Sequence, residues 1–295
     1  MARDTPKPSP SLPGPMALRP TLVALLLVSM ALAGCTEQEP ARTPGPTPTA
    51  TEERFAVLGD SISRGFAAIP TGGNLPQEHL DRSWATGTFP ESLSSRLIAQ
   101  GNLTREGVYN DARSGARAND LLQQATQASV QRATHVAILM GANDLCRGGS
   151  VEAATPAPEF EQHVRAALTK LNTSLPKARL FVASIPNVTA LREAFADDNR
   201  ARSAWESTGT CRGILRADLS AEEVAAANRL MAAYNGALEA ACREVGNCVY
   251  DGGALHRANL TRDFVSEKDF FHPSAAGQRA IAELAWPLTG WARPT

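Results

Sequence analysis

Between Arg54 and Tyr250 the chain repeatedly sets a short apolar run directly before a glycine, proline or aspartate and then changes to helical periodicity. The runs are Phe55–Leu58 before Gly59-Asp60, Val136–Met140 before Gly141, Leu180–Ile185 before Pro186 and, weaker, Val249-Tyr250 before Asp251. A fifth strand is expected near Gly107–Asn110. A strand apolar at consecutive positions has to be covered on both faces, as in a parallel sheet between helices. Helices are expected over Glu91–Ala99, Asn119–Ser129, Pro158–Ser174, Ala221–Glu244 and Ala275–Leu284. In the fourth, Val224, Leu230, Met231, Tyr234 and Leu238 recur at near-helical spacing, with Ser220 and Glu223 placed as a capping box. Such alternation predicts an α/β fold with a parallel sheet, whose sites lie beyond the carboxyl ends of the strands.

The segment before Arg54 has a different character. Arg3, Lys7 and Arg19 precede an apolar run from Leu22 to Ala33, which ends in Leu32-Ala33-Gly34-Cys35. That is the pattern of an export signal, and the run is shorter than the roughly 20 residues a bilayer span needs. Leu-Ala-Gly-Cys also resembles the bacterial lipoprotein box, which implies a diacylated Cys35 as the mature N-terminus. Met16 to Cys35 alone has normal signal length, and Thr36 in place of aspartate favours outer-membrane delivery. Residues 36–53 mix proline with threonine and carry no large apolar side chain, so they read as an extended tether. The expected organisation is a signal over 1–35, a linker over 36–53 and one domain over 54–295, exported and lipid-anchored to the cell envelope.

Charge and cysteine content narrow the function. With 29 Lys+Arg against 30 Asp+Glu the net charge is −1, which argues against a nucleic-acid partner. No Walker A loop and no Gly-x-Gly-x-x-Gly is present, so nucleotide binding has no support. Beyond Cys35, the four cysteines Cys146, Cys211, Cys242 and Cys248 are an even number in an exported chain and suggest two disulfides. Three pairings are open. The Gly246-Asn247 turn favours Cys242 with Cys248, which leaves Cys146 with Cys211. No Cys-x-x-Cys or histidine-rich pair supports a metal.

Four blocks stand where a strand-end site would lie. They are Gly59-Asp60-Ser61, Asp111-Ala112-Arg113-Ser114-Gly115, Gly141-Ala142-Asn143-Asp144 and Asp269-Phe270-Phe271-His272-Pro273. Together they offer a hydroxyl nucleophile, an imidazole base, a carboxylate, a side-chain amide and a glycine N–H, the parts of an acyl-transfer site. In this order and spacing they resemble the GDSL/SGNH hydrolase family, over nearly all of 54–295. The resemblance implies a flavodoxin-like three-layer α/β/α sandwich on a five-stranded parallel sheet of order 2-1-3-4-5. It implies Ser61 as nucleophile, His272 as general base and Asp269 orienting the imidazole. The oxyanion hole would be the N–H groups of Ser61 and Gly115 with the Asn143 amide, and no cofactor is required. A serine hydroxyl attacks only when a base takes its proton, and histidine is poised near neutral pH to do so. The chain has no Gly-x-Ser-x-Gly elbow of the α/β-hydrolase type.

His256, which follows Asp251, is a rival base; His79, His135 and His163 read as surface or packing residues. Asp60 and Asp144 read as braces for their turns. The stretch through Cys146, with Cys211 after an insertion, looks like the phospholipase B-like branch of the family. A Cys146 disulfide would then tie the oxyanion loop to the insertion at 187–219, whose Phe195 and Trp205 are candidates for the wall of an acyl pocket. On that analogy a lipid or acyl ester is the expected substrate, with carbohydrate O-acetyl esters as the alternative. A catalytically silent binding module is the reading from another class, and the presence of every reactive residue type opposes it.

Overall fold

In the computed structural model, residues 52–70, 75–258 and 262–293 are described. Cys35, the signal segment, nearly all of the linker and Asn259 lie outside them. Five strands, β1 (Glu53–Gly59), β2 (Leu103–Asn110), β3 (His135–Leu139), β4 (Arg179–Val182) and β5 (Cys248–Tyr250), form one parallel sheet of order β2-β1-β3-β4-β5. The order implied by the family resemblance is the order found. Among the described residues ten α-helices accompany them: α1 (Leu93–Ala99), α2 (Leu121–Val130), α3 (Ala142–Leu145), α4 (Ala157–Ser174), α5 (Val188–Ala194), α6 (Asn199–Thr208), α7 (Arg212–Leu215), α8 (Ala221–Glu244), α9 (Ala254–Arg257) and α10 (Ala275–Thr289).

The three layers follow from side-chain alternation along the central strands. Ala56, Leu58, Val136, Ile138, Leu180 and Val182 face α2, α4 and α8, where they meet Leu121, Val164, Leu168, Met231 and Leu238. Phe55, Val57, Ala137, Leu139 and Phe181 face α1 and α10, where they meet Leu93, Leu97, Ile281 and Trp291. Trp291 lies edge-on to Phe55, Phe181 and His135 under that layer. His135 is therefore a packing residue. Burial drives its imidazole down to about 4, so it stays neutral at physiological pH.

Element boundaries differ from expectation in places with physical causes. β1 opens at Glu53, inside the stretch read as linker, because its N–H meets the Asn102 carbonyl and its carboxylate meets Arg293 at 3.2 Å. β4 ends at Val182: Ala183 N–H still reaches the Ile138 carbonyl at 2.9 Å, but Ile185 N–H leaves the sheet for Asn235 Oδ1 at 2.9 Å. α10 runs past Leu284, through Pro287, and stops at Gly290, whose φ of +64° is left-handed. α8 begins with the capping box expected of Ser220 and Glu223.

The carboxyl end of β1 is fixed by one close approach. A Cβ on Gly59 (φ +149°) would stand 2.3 Å from the Leu139 carbonyl oxygen and 2.8 Å from Ser63 Oγ. Gln124 of α2, buried on the helix face shared with Leu121, Ala125 and Ala128, takes the Gly59 N–H at 2.7 Å and donates to the Gly59 carbonyl at 2.9 Å. The Arg113 N–H reaches the same carbonyl at 3.1 Å. Replacing Gln124 with methionine orphans the Gly59 N–H and leaves its carbonyl served by Arg113. The expected loss is about 1–3 kcal/mol of unfolding free energy in urea titration. A loss below about 0.5 kcal/mol would show that the clamp contributes nothing.

Candidate active site

Beyond Gly59 the chain turns sharply. Ile62 N–H is held by Asp60 Oδ1 at 2.9 Å, and Arg64 and Phe66 N–H both return to the Ser61 carbonyl. The turn is pinned from outside by Gln278 of α10, which donates to the Ile62 carbonyl at 2.9 Å and accepts from Trp84 N–H at 2.9 Å. Ser63 is buried and takes Trp84 Nε1–H on its hydroxyl, while its carbonyl takes Ser83 Oγ–H and Asn110 Nδ2–H. Ser61 thus sits on a rigid corner with its side chain 7% exposed as a residue.

The loop before α10 brings the imidazole to it. His272 Nε2 lies 2.7 Å from Ser61 Oγ, and His272 Nδ1 lies 2.6 Å from Asp269 Oδ2. The other Asp269 oxygen accepts the backbone N–H groups of Phe271 and His272, both at 3.0 Å. The ring is held between Phe66 and Phe271, with centroids 4.8 and 5.0 Å away. Ser266 Oγ–H donates to the Ala67 carbonyl, and the Ser266 N–H donates to the His272 carbonyl at 2.8 Å, so the loop is tied to the Ser61 corner. Phe270 adopts a left-handed φ of +55°, unfavourable for a non-glycine residue. Its carbonyl accepts Trp205 Nε1–H at 3.2 Å.

The remaining blocks arrive from the neighbouring strands. Gly115 takes φ +79° with nothing within 4 Å of where a Cβ would stand, so the backbone angle, and not crowding, favours glycine there. Asn143 lies on α3, just past β3, and its Nδ2 donates one hydrogen to the Ala116 carbonyl at 2.9 Å. The N–H groups of Ser61 and Gly115 donate to no acceptor among the described residues. Glu78 bridges two blocks: it accepts from Arg64 Nε and Nη2 at 2.9 and 2.6 Å and from Ser114 Oγ at 2.7 Å. The Arg64 guanidinium holds its carboxyl below the usual carboxylate range.

Asp144, buried, accepts Ala118 N–H at 2.9 Å and so braces the Gly115 loop against α3; burial raises its pKa. Asp60 is fully buried with Oδ2 lacking a donor. Burial pushes its carboxyl up to about 6, against the pull of the Ile62 N–H and the nearby His272 and with the push of Asp144. His256 stands apart from this group: its Nδ1 is 3.0 Å from the Ile185 carbonyl, and its N–H goes to Ser184 Oγ, which donates to Asp251. It closes the end of β4.

The insertion at 187–219 folds as α5, α6 and α7. Phe195 and Trp205 are buried and stack edge-on with each other, and Phe195 does the same with Phe270. They therefore support the His272 loop from behind, and line no acyl cleft together. The apolar cleft beside Ser61 is walled instead by Val188 and Leu191 of α5, with Ile62, Ala142, Phe271 and Pro273, and holds about 30 Å³. Across Val265 lies a charged hollow of about 340 Å³ lined by Phe270, Asp198, Arg200 and Arg262. Cys146, at the end of α3, is joined to Cys211 at the start of α7, and Cys242 is joined to Cys248.

Gln124 and Gln278 were not singled out in the sequence. The usable signal was their position on the apolar faces of their helices, Gln124 among Leu121, Ala125 and Ala128 and Gln278 beside Gly277, Ile281 and Ala282.

A hydrogen-bonded Ser–His–Asp line at the carboxyl edge of a doubly wound sheet is the arrangement of enzymes that activate a hydroxyl for acyl transfer. A model of the GDSL-like Lipase/Acylhydrolase family matches residues 57–280, and the chain belongs to that family of ester-bond hydrolases. Human membrane-associated phospholipase B1 is 28% identical over 200 residues, covering 59% of this chain and 14% of the human protein. This chain thus spans only a small part of that relative's length. Among solved structures, a protein described as a GDSL-like lipase from Parabacteroides merdae superposes with a TM-score of 0.52 at 15% identity, covering 81% of this chain and 96% of that one. A catalytic mutant of Axe2, an acetylxylan esterase from Geobacillus stearothermophilus, gives 0.51 at 19% identity, covering 82% and 97%. At these identities the likeness is one of fold.

The raised pKa of Asp60 yields a stability test. The folded protein holds this proton more tightly than the unfolded chain, so its contribution is lost as pH rises from the unfolded value of 3.8 through about 6. Asp60→Asn has no such proton and keeps an acceptor for Ile62 N–H. The wild type should therefore lose on the order of 2 kcal/mol relative to the variant over that window, read by urea unfolding at pH 4 and pH 7. An unchanging difference would mean that Asp60 titrates normally.

Proposed function

We propose that this protein hydrolyses carboxylic esters through a covalent acyl-enzyme on Ser61. The observation that carries the reading is the continuous line Ser61 Oγ–His272–Asp269, with both links under 3 Å. His272 Nε2 takes the Ser61 proton as Oγ attacks the ester carbonyl carbon. Asp269 holds the proton on Nδ1 and stabilises the imidazolium that forms. The carbonyl oxygen becomes an oxyanion, for which the free N–H groups of Ser61 and Gly115 and the second amide hydrogen of Asn143 are the available donors. Collapse returns the proton from His272 to the departing alcohol and leaves the acyl group on Ser61. Water, deprotonated by His272, then attacks the same carbonyl carbon, and the acid leaves with Ser61 restored.

The apolar cleft beside Ser61 supports an acyl ester as substrate, and the human phospholipase B relative supports a lipid one. The anchor expected at Cys35 would keep the domain beside a membrane, within reach of esters of the envelope. A narrow cleft favours a short acyl group, as in O-acetyl esters, over a fatty chain.

The test is hydrolysis of p-nitrophenyl acetate by the full chain in detergent, with Ser61→Ala alongside. Turnover should fall at least about 10⁴-fold in the variant at unchanged melting temperature, as for loss of a triad member. Equal turnover in both proteins would remove Ser61 from the reaction.

A further inference from the structure

We infer that the acyl group this protein accepts is short and that Leu191 and Val188 of α5 set the limit; the inference rests on the hydrolytic reading above. Two hollows flank the loop carrying His272, and they differ in kind. The apolar one borders Ile62, Ala142, Phe271 and Pro273, each the sequence neighbour of Ser61, Asn143 or His272, and α5 closes its far side. It holds about 30 Å³. That is under a tenth of the volume of the second hollow, room for a short acyl tail and not for a long one. The other hollow, at about 340 Å³, sets Phe195 and Phe270 beside the charged Asp198, Arg200, Arg262 and Glu267. Methylenes packed there would strip water from charges and return nothing to them. An acyl chain thus belongs in the small apolar cleft, and the alcohol side of the ester has the wide polar hollow or solvent.

The far wall is built not to swing aside. Asn187 caps α5 by accepting Ala190 N–H at 3.2 Å. Arg192 of α5 donates to the carbonyls of Arg216, Ala217 and Leu219 at 3.3, 3.1 and 3.4 Å. α5 packs on α7, whose first residue follows Cys211, and the Cys146–Cys211 disulfide ties that helix to the end of α3, which carries Asn143. Wall and oxyanion helix therefore form one covalently joined unit, and an acyl chain that outgrows the cleft meets Leu191 without a displaceable lid.

The experiment is a chain-length series on the full protein in detergent: kcat/KM for p-nitrophenyl acetate, butyrate and octanoate with wild type, Leu191→Ala, Val188→Ala and Leu191→Trp. The wild type should process octanoate at least about tenfold less efficiently than acetate, the discrimination a hydrophobic pocket achieves per excess methylene. Leu191→Ala should raise the octanoate-to-acetate ratio at least about tenfold, Val188→Ala should raise it less, and Leu191→Trp should lower the butyrate-to-acetate ratio. A flat wild-type series would overturn the inference. So would unmoved ratios in folded truncation variants, and where these do not fold, an unmoved butyrate-to-acetate ratio in Leu191→Trp. No turnover of any ester by the folded wild type would instead sink the hydrolytic reading, and unchanged turnover in Ser61→Ala would sink the role of Ser61 in it, outcomes separate from either.

Discussion

Everything at the reactive edge hangs on the absence of a side chain at Gly59. Because no Cβ stands there, β3 can bring the Leu139 carbonyl against the end of β1, and the two strand-end loops leave the sheet side by side. The same residue carries the Gln124 clamp and the Arg113 N–H, so α2 and the Gly115 loop are tied to one backbone unit. Directional bonds to the two peptide groups that flank a single α-carbon fix position in a way that apolar packing alone does not. From that point Ser61 projects on one side and Asn143 on the next strand over, strand spacing setting their separation and the bonds within each loop their aim.

The opposite half of the site is held by quite different means. His272 stands on a loop with a left-handed Phe270, and such a backbone persists only when its surroundings impose it. Those surroundings are the insertion: Trp205 takes the Phe270 carbonyl, and Phe195 packs on the Phe270 ring, with Arg200 and Arg262 lying over the two phenylalanine rings. The Cys146–Cys211 link then returns the insertion to α3. The imidazole and the helix carrying Asn143 are thereby coupled through a segment that touches neither the Ser61 hydroxyl nor the imidazole directly.

Much of this was legible in the chain before any coordinates. β1, β3 and β4 are central strands buried on both faces, so their sequences are nearly continuous apolar runs. β2 is an edge strand whose residues from Thr104 to Glu106 face solvent, and so only its end, near Gly107–Asn110, carried a signal. The four reactive blocks were readable because each directly follows a strand or precedes a helix with unusual residues at fixed spacing. The supports were not. Gln124 and Gln278 look like ordinary surface residues of a helix unless their place on the apolar stripe is noticed, and a buried amide serving a backbone unit leaves no compositional trace. The insertion was read as a wall with its aromatics facing an acyl pocket. In fact the small aliphatic residues of α5 face the cleft, and the aromatics, whose large surfaces gain most from leaving water, are inside.

Ser61 and His272 stand 211 positions apart, and Ile62 is gripped by Gln278 from 216 positions further on. The central strand is the first to be synthesised, yet its corner is completed by the last helix. A nascent or truncated chain ending before Asp269 thus has neither imidazole nor brace for its serine hydroxyl, however well its sheet has begun to form. Contacts so far apart in sequence form late and make folding slow. Under the export expected from residues 1–35 and the chemistry proposed for Ser61, that lateness would keep the hydroxyl inert until the whole domain had reached the far side.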